Sequence, residues 1–594
     1  MLPQKLIESK LRQAVQAVLP DASLTTVQVR PCPDPKFGDY QSNTLMSLAK
    51  ERKMNPRQLA ADVVAKLSVS DLCEKVEIAG AGFLNFRLKS SVLGDTLSAA
   101  LSGGPLFIET AAAPRTVVLD FSSPNVAKPM HVGHIRSTIL GDSLARTLRL
   151  LGHRVVTDNH IGDWGTQFGM LLVGWKTLLD KESLEREPLA EMERIYKKIS
   201  AQCDPEKPGY DAGVHESARK ELVKLQQGDA ENLGIWKEMI RLSQRQFDTI
   251  YGRLGVKFDH TYGESFYNER LQGVVDDLVA RGIARESEGA RCVFSEGKLP
   301  PKEDPFLIHR DGEWQPNPQL IQKSDGGFNY ATTDLATLAF RWETWHPSEI
   351  VYVTDGRQQL HFQQVFSTFR RWQPEIAARV RLAHVWFGSI LGDDGKPLKT
   401  RSGENVKLAE LLDEAEERAF EVVTQKNAEL PEADRKRIAR IIGLGAVKYA
   451  DLLPNRQSDY QFSWDKMLAL NGNTAPYLLY AYARIRSIFV KGGIQNSEFR
   501  IQNVALDAPE ELALAKQLLN FGLVLEAVAE EYRPNFLCNY LFELAGRFTS
   551  FYENCPVLKS EGAVRDSRLA LCELTGRVLK QGLDLLGIET VDQM

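Results

Sequence analysis

The sequence predicts a multidomain α/β chain. A small N-terminal α/β domain precedes a nucleotide-binding domain built on a parallel sheet and split by a long insertion, and a C-terminal bundle of α-helices follows. Three observations carry this. At 594 residues the chain exceeds what one hydrophobic core usually organises, so three or four domains are expected. A strand–loop–helix–strand texture over 115–158 reads as a βαβ unit, and strand-beside-helix texture returns at 349–354 and 379–388. Beyond about residue 405 the pattern is helical periodicity with no further strand.

Taken in order, residues 4–19 read as an amphipathic helix, with Leu6, Leu11, Val15 and Val18 at helical spacings. A polar loop with Pro31, Pro33, Pro35 and Gly38 follows, and the alternation EIAGAGFLNFRL at 77–88 reads as a strand. The SGGP breaker at 102–105 closes this first domain, residues 1–105. RTVVLDF from Arg115 is a buried-strand run, SSPNVAKP a loop, and a helix begins near His131 with Ile135, Ile139, Leu140, Leu144 and Leu148 as its apolar stripe, stopping at Leu151-Gly152. HRVVTDNHIGDWG is a second strand with a Gly-rich exit. The domain so begun runs over 106–405, its insertion, at about 172–320, charged and mostly helical with a hairpin near 285–298. Connecting helices fill 406–470 and a helical domain 471–594; periodic helices are expected at 408–426, 431–450, 476–491, 510–531, 535–552 and 566–586.

Composition bounds the partners. With 73 Lys+Arg against 78 Asp+Glu the formal charge is −5, so any nucleic-acid surface must be local. Apolar residues at 43% and charged residues at 25% exclude a disordered or fibrous chain. No apolar run is read as approaching the ~18–20 residues that span a bilayer, and the first residues lack the apolar centre of a signal peptide. Seven scattered cysteines without a CxxC pair argue against a disulfide framework and a structural zinc, and for the cytoplasm.

The most informative segment is Pro124-Asn-Val-Ala-Lys-Pro-Met-His-Val-Gly-His134. Two histidines three apart straddle a glycine where a strand's loop enters a helix. Backbone N–H groups at such a start favour phosphate, and Gly133 leaves room for a nucleotide. His131 and His134 can donate to phosphate oxygens as charge develops at the α-phosphorus. A metal pair or two structural histidines is the bland alternative; the preceding buried strand and SSPN loop favour catalysis.

This segment resembles the HIGH signature of class I aminoacyl-tRNA synthetases, and FSSPNVAKPMHVGHIRSTILGD is similar to its arginyl-tRNA synthetase form. The likeness continues through FGDYQSN (37–43), GAGFLNF (80–86), DNHIGDWGTQFG (158–169), GESFY (263–267), QKSDGGFNYATTDLA (322–336), YVTDGRQQLHF (352–362), KTRSGENVKL (399–408) and TAPYLLYAYARIRSI (474–488). The resemblance implies a class I Rossmann-type catalytic domain and an α-helical anticodon-binding domain. It implies ATP-dependent activation of L-arginine to arginyl-adenylate, with Mg²⁺ neutralising the phosphates, then transfer to the terminal adenosine of tRNA(Arg). A monomer is the family expectation. The rivals are a synthetase for lysine or cysteine, a related nucleotidylyltransferase, which leaves the helical bundle unexplained, and a non-catalytic tRNA-binding paralogue.

The resemblance also nominates residues. Pro124, His131, Gly133 and His134 would bind ATP. A guanidinium wants a carboxylate fork, aromatic neighbours and amide acceptors, and Asp334, one helical turn beyond Tyr330 in YATTD, leads that search. Asn125, Asp120 and Gln358 complete the arginine set. The family's KMSKS loop, whose lysines meet the leaving pyrophosphate, is degenerate here: GKPLKTRSG leaves Lys396, Lys399 and Arg401 as candidates in ambiguous register. Lys128, three residues before His131, fits the lysine thought to compensate in such members. For tRNA, Tyr477, Tyr480 and Arg484 share one helical face suited to stacking and phosphate pairing, or to core packing. Phe37, Tyr40 and Gln41 resemble the family's contact with the tRNA elbow.

Overall fold

The computed structural model describes residues 2–399, 406–494 and 504–594. Its first unit comprises α1 (Pro3–Val18), β1 (Arg30–Pro31), β2 (Tyr40–Ser42), α2 (Thr44–Glu51), α3 (Pro56–Lys66), β3 (Cys73–Ala79), β4 (Phe83–Leu88) and α4 (Ser90–Leu101). The strands form an antiparallel sheet in the order β1-β2-β4-β3. Residues 77–88 are therefore not one strand. The chain reverses at Gly80-Ala81-Gly82, where the two glycines take φ of +50° and +124°, and a Cβ on Gly82 would lie 2.9 Å from the Pro56 carbonyl oxygen. Apolar alternation survives a two-stranded turn of this kind, which is why it reads as continuous.

β5 (Thr116–Phe121), α5 (Val132–Leu150) and β6 (Arg154–Asp158) make the βαβ unit. Next come α6 (Gln167–Leu178), α7 (Lys181–Arg186), α8 (Pro188–Cys203), α9 (Ala212–Gln226), α10 (Ala230–Leu254) and α11 (Asn268–Ala280). The hairpin of β7 (Ala284–Ser287) and β8 (Ala290–Val293) follows, then β9 (Leu307–Arg310), β10 (Glu313–Pro316) and β11 (Gln319–Gln322). The chain returns to the main sheet through α12 (Tyr330–Trp345), β12 (Glu349–Val353), α13 (Gln359–Trp372), α14 (Pro374–Ala377) and β13 (Arg381–His384).

That sheet is parallel, in the order β13-β12-β5-β6. Alternate residues serve opposite faces: Val117, Leu119 and Phe121 join the core shared with α5 and the helical region, while Val118, Ile350 and Tyr352 join the core under α12 and α13. From β5 the chain passes to β6 on one side, then returns through the insertion and α12 to β12 on the other side of β5. The order reverses there and opens a crevice beyond the carboxyl ends of β5 and β12.

β14 (Ile390–Leu391), α15 (Leu408–Lys426), α16 (Glu432–Leu452), β15 (Tyr460–Gln461) and α17 (Trp464–Met467) lead into α18 (Ala475–Gly492), α19 (Pro509–Leu519), α20 (Phe521–Glu531), α21 (Asn535–Asn554) and α22 (Gly562–Leu585). Two expectations fail here. β15 is a strand beyond residue 405; only two residues long, it pairs parallel with β14 and leaves no periodic signal. Pro509–Glu531 contains an 18-residue window of mean hydropathy 1.5, apolar enough by length and composition to cross a bilayer, although Lys516 and Glu526 interrupt it as an apolar run. It is not one helix: it divides at Asn520, and Leu514, Leu518, Phe521, Leu525 and Val528 are buried in the bundle.

Candidate active site

The loop from β5 to α5 is built against the local preferences of its residues. Ser122, Ser123 and Ala127 all have positive φ, at 72°, 47° and 62°, a conformation that costs non-glycine residues roughly 1–3 kcal/mol each and persists only where surroundings over-determine it. The Ser122 N–H donates to Ser137 Oγ and the Ser123 N–H to Asn159 Oδ1. The Ala127 N–H donates to Ser243 Oγ. Val126 N–H bonds the Gly162 carbonyl while Gly162 N–H bonds that of Pro124. Three separate segments, α5, the loop after β6 and α10, thus fix the SSPN turn and the residues after it. Pro124 is buried and Asn125 exposed over Gly162, where a Cβ would lie 2.3 Å from Asn125 Oδ1.

The turn delivers His131 as the N-cap of α5. Its Nδ1 accepts the Gly133 N–H at 3.0 Å, and its own N–H donates to His134 Nδ1 at 3.1 Å. Both Nδ1 atoms are acceptors, which assigns the proton of each neutral ring to Nε2. Burial holds the His134 imidazolium down to a pKa of about 3 with help from His131, and burial, then Arg357 and Lys128, lowers His131. The pair, with ring centroids 4.0 Å apart, presents neutral donors rather than cations. Gly133 has a further task besides backbone access: its Cβ would sit 2.8 Å from the His131 ring. Lys128 is half-buried, with its ammonium 4.8 Å from the Tyr196 ring centroid on α8.

Across the crevice, α12 starts at Tyr330, capped by Asn329, and carries Asp334 one turn further. His361 Nε2, in the first turn of α13, donates to Asp334 Oδ2 at 2.5 Å, and the Tyr330 ring, 59% exposed, lies 4.6 Å from that of His361. Gln358 is exposed at the end of a 3₁₀ turn, Gly356–Gln358. Glu264 borders the same region: burial raises its carboxyl to about 7, partly offset by His160, with the charges of Asp163 and Asp334 pushing the same way as burial. Asp163 is committed to the turn, accepting the Ser265 N–H at 2.8 Å and Oγ–H at 2.6 Å. His361 and Glu264 stand in the quoted LHF and GESFY blocks, but their partners are remote in sequence and no spacing announces them.

Asp120 departs from the expected substrate-facing carboxylate. It is 3% exposed; its Oδ1 accepts from Ser123 Oγ at 2.9 Å and its Oδ2 from Arg341 at 2.6 Å, in a buried cluster with Asp158. It supports the SSPN turn from beneath.

Beyond β14 the Lys396 N–H bonds Asp394 Oδ1, and Gly392 N–H and Leu398 N–H bond the Lys396 and Ile390 carbonyls in a tight reversal. Lys396 and Lys399 are exposed, and Arg401 lies outside the described residues. On the far side, Val132 N–H bonds the Val406 carbonyl and Leu408 N–H that of Met130, both at 2.9 Å.

Of the tRNA candidates, Phe37 is 53% exposed and Gln41 half-buried. Tyr40 is corrected: at 3% exposure it is a core residue of β2 opposite Phe86, because alternation turns it inward. On α18, Tyr480 is 49% exposed, Tyr477 packs against Phe542, and the Arg484 guanidinium lies 4.6 Å from the Tyr552 ring centroid.

A parallel sheet with a crevice at its reversal point and a paired-histidine helix start defines a class I aminoacyl-tRNA synthetase catalytic domain. Residues 96–464 match the family model for the tRNA synthetases class I (R) catalytic domain, 5–88 the arginyl tRNA synthetase N terminal domain and 478–594 the DALR anticodon binding domain. The chain belongs to the arginyl-tRNA synthetase family. It is 46% identical to an arginine--tRNA ligase of Hahella chejuensis and 45% to one of Escherichia coli, each alignment covering 100% of both chains. The solved arginyl-tRNA synthetase of Plasmodium falciparum superposes with a TM-score of 0.81 at 29% identity, covering 100% of this chain and 99% of that one. That of Thermus thermophilus gives 0.81 at 25%, with full coverage of both.

Proposed function

We propose that this chain is an arginine--tRNA ligase in which a neutral histidine pair serves ATP and a carboxylate pocket selects the amino acid. The carrying observation is their juxtaposition: Nε2–H donors at the helix start on one side of the crevice, and the Asp334–His361 pair beside Glu264 on the other. ATP enters with Mg²⁺ as its counterion. Pro124 and Gly133 border its path, and His131 and His134 donate to the α-phosphate. The arginine carboxylate attacks the α-phosphorus and pyrophosphate leaves, giving arginyl-adenylate. The terminal adenosine hydroxyl of tRNA(Arg) then attacks the arginyl carbonyl and AMP leaves. Neutral donors aimed at an oxyanion are the kind of group whose removal costs about 10²–10³ in kcat.

Asp334, with Oδ2 held by His361, offers Oδ1 to the guanidinium, and Glu264 supplies a second charge that the cation stabilises in its ionised form. Tyr330 flanks the same cation, and Asn125 and Gln358 serve its backbone end as amide partners. Lys128 meets the charge growing on pyrophosphate, with Lys396, Lys399 and Arg401 as the alternative cations. Phe37 and Gln41 face the tRNA elbow, and Tyr480 and Arg484, with Tyr477 behind them, the anticodon loop. A cytoplasmic monomer is the setting we infer; the seven unpaired cysteines suit a reducing compartment. Arginine-dependent ATP–pyrophosphate exchange tests the reading: exchange with cognate tRNA, negligible without it, is expected, and exchange with lysine in place of arginine contradicts it.

A further inference from the structure

Arg136 stands two residues beyond His134 on α5, yet its side chain never reaches the crevice. It is 1% exposed. Its Nε lies 3.1 Å from Oδ1 of Asp451, near the end of α16 and equally buried. Its guanidinium lies 5.7 and 5.1 Å from the Phe387 and Tyr460 ring centroids. NH1 donates to the Gly388 carbonyl at 2.7 Å and the Ser458 carbonyl at 3.3 Å. Gly388 and Ser458 precede β14 and β15, the paired strands from which the Lys396–Lys399 segment departs. One side chain therefore joins three things: the helix that carries both imidazoles, the root of the lysine segment, and the helical region.

Stability is a poor reason for this arrangement. Burying two charges incurs desolvation that an apolar pair of similar volume avoids, so such pairs are often neutral or unfavourable. Registration is the better reason: NH1 holds the Gly388 and Ser458 carbonyls while Nε, fixed in the same rigid plane, lies against Asp451, a spacing that a compact ammonium on a flexible stem or an apolar side chain does not reproduce.

We propose that Arg136, with Asp451, is a positioning residue for the activation step. It sets the Lys396–Lys399 segment in register with His131 and His134 and carries the placement of α16 into that register. The inference rests on the ligase reading above. The experiment compares wild type, the double variant Arg136→Met/Asp451→Leu, and Arg136→Lys in three readouts: thermal melting, arginine binding by calorimetry, and pyrophosphate exchange with tRNA present.

Expected is a double variant that melts near wild type and binds arginine unchanged, while kcat of exchange falls about 10- to 100-fold, the scale of misplacing a reacting group by roughly an ångström. A folded double variant with wild-type kcat overturns the proposal, since the pair is then merely structural. Should the double variant fail to fold, Arg136→Lys decides: it keeps the charge but loses the fork, so reduced kcat with unchanged arginine binding supports the proposal and unchanged kcat overturns it. Wild type that exchanges nothing with arginine and tRNA overturns the ligase reading, and the proposal with it, a result separate from wild type and variant exchanging alike.

Discussion

The two walls of the crevice are built on opposite electrostatic plans. The histidine side meets the most highly charged substrate with neutral groups: its imidazoles are kept unprotonated by burial, and its cations stand at the rim. The α12 side gathers carboxylates: burial, offset in part by His160, and then the charges of Asp163 and Asp334 push Glu264 up to about 7. Charge is left unbalanced where the substrate is to balance it, and withheld where charge appears only in the transition state. The first arrangement gives selectivity, the second rate.

The comparison can be broken most severely at Asp334. Asp334→Asn removes a charge partner from a buried guanidinium and should weaken arginine binding by roughly 2–5 kcal/mol. ATP KM should hardly move; steady-state kinetics with each substrate varied checks this, and an unchanged arginine KM sinks the assignment. On the opposite wall, Lys128→Ala should lower kcat of activation about 10²–10³ with both KM values little changed. Single-turnover exchange of Lys128→Ala beside Lys396→Ala and Lys399→Ala decides which cation serves the leaving group. If either of the latter abolishes activation while Lys128→Ala is silent, the compensation idea is wrong.

How far these walls are legible in the sequence differs in the same way. The strand, SSPN turn, histidine pair and apolar stripe of α5 are contiguous, so local pattern suffices for them. Asp334 stands in a block that motif reading reaches, but its partner His361 lies 27 positions on. Asp120 resembles a substrate ligand until Arg341, more than two hundred residues away, claims one of its oxygens. Tyr40 is nominated beside exposed Phe37, and only the pairing with Phe86 turns it inward. The helix expected at 510–531 fails at Asn520, two residues before Gly522, where a Cβ would lie 2.1 Å from the Phe107 carbonyl oxygen, so the break goes with packing against a remote segment. Non-local partners account for these misses, whereas the Gly80–Gly82 reversal and the two-residue β15 are local features that apolar alternation and periodicity do not register.

Smaller effects sharpen the contrast. Tyr480→Ala should weaken tRNA binding by about 1–3 kcal/mol without touching arginine affinity, the scale of one lost base stack; a binding isotherm with labelled tRNA measures it. The Glu264 carboxyl gives a pH signature. Its pKa in the folded protein lies above the ordinary value of 4.5. Its contribution to stability without substrate is therefore full below about 4.5 and lost as pH rises through about 7. Arginine binding runs the other way, since the cation prefers the ionised carboxylate: affinity should rise about tenfold from pH 6 to 8, and Glu264→Gln should flatten that slope. A slope retained in Glu264→Gln assigns the titration elsewhere.

The most direct test of the claim that unbalanced carboxylate charge selects the amino acid is equilibrium binding of L-arginine and of its neutral isostere citrulline, measured by calorimetry on wild type and Asp334→Asn. The account predicts strong preference for arginine in wild type and its collapse in the variant, almost wholly through weaker arginine binding. The same arginine-to-citrulline ratio in both proteins would contradict it.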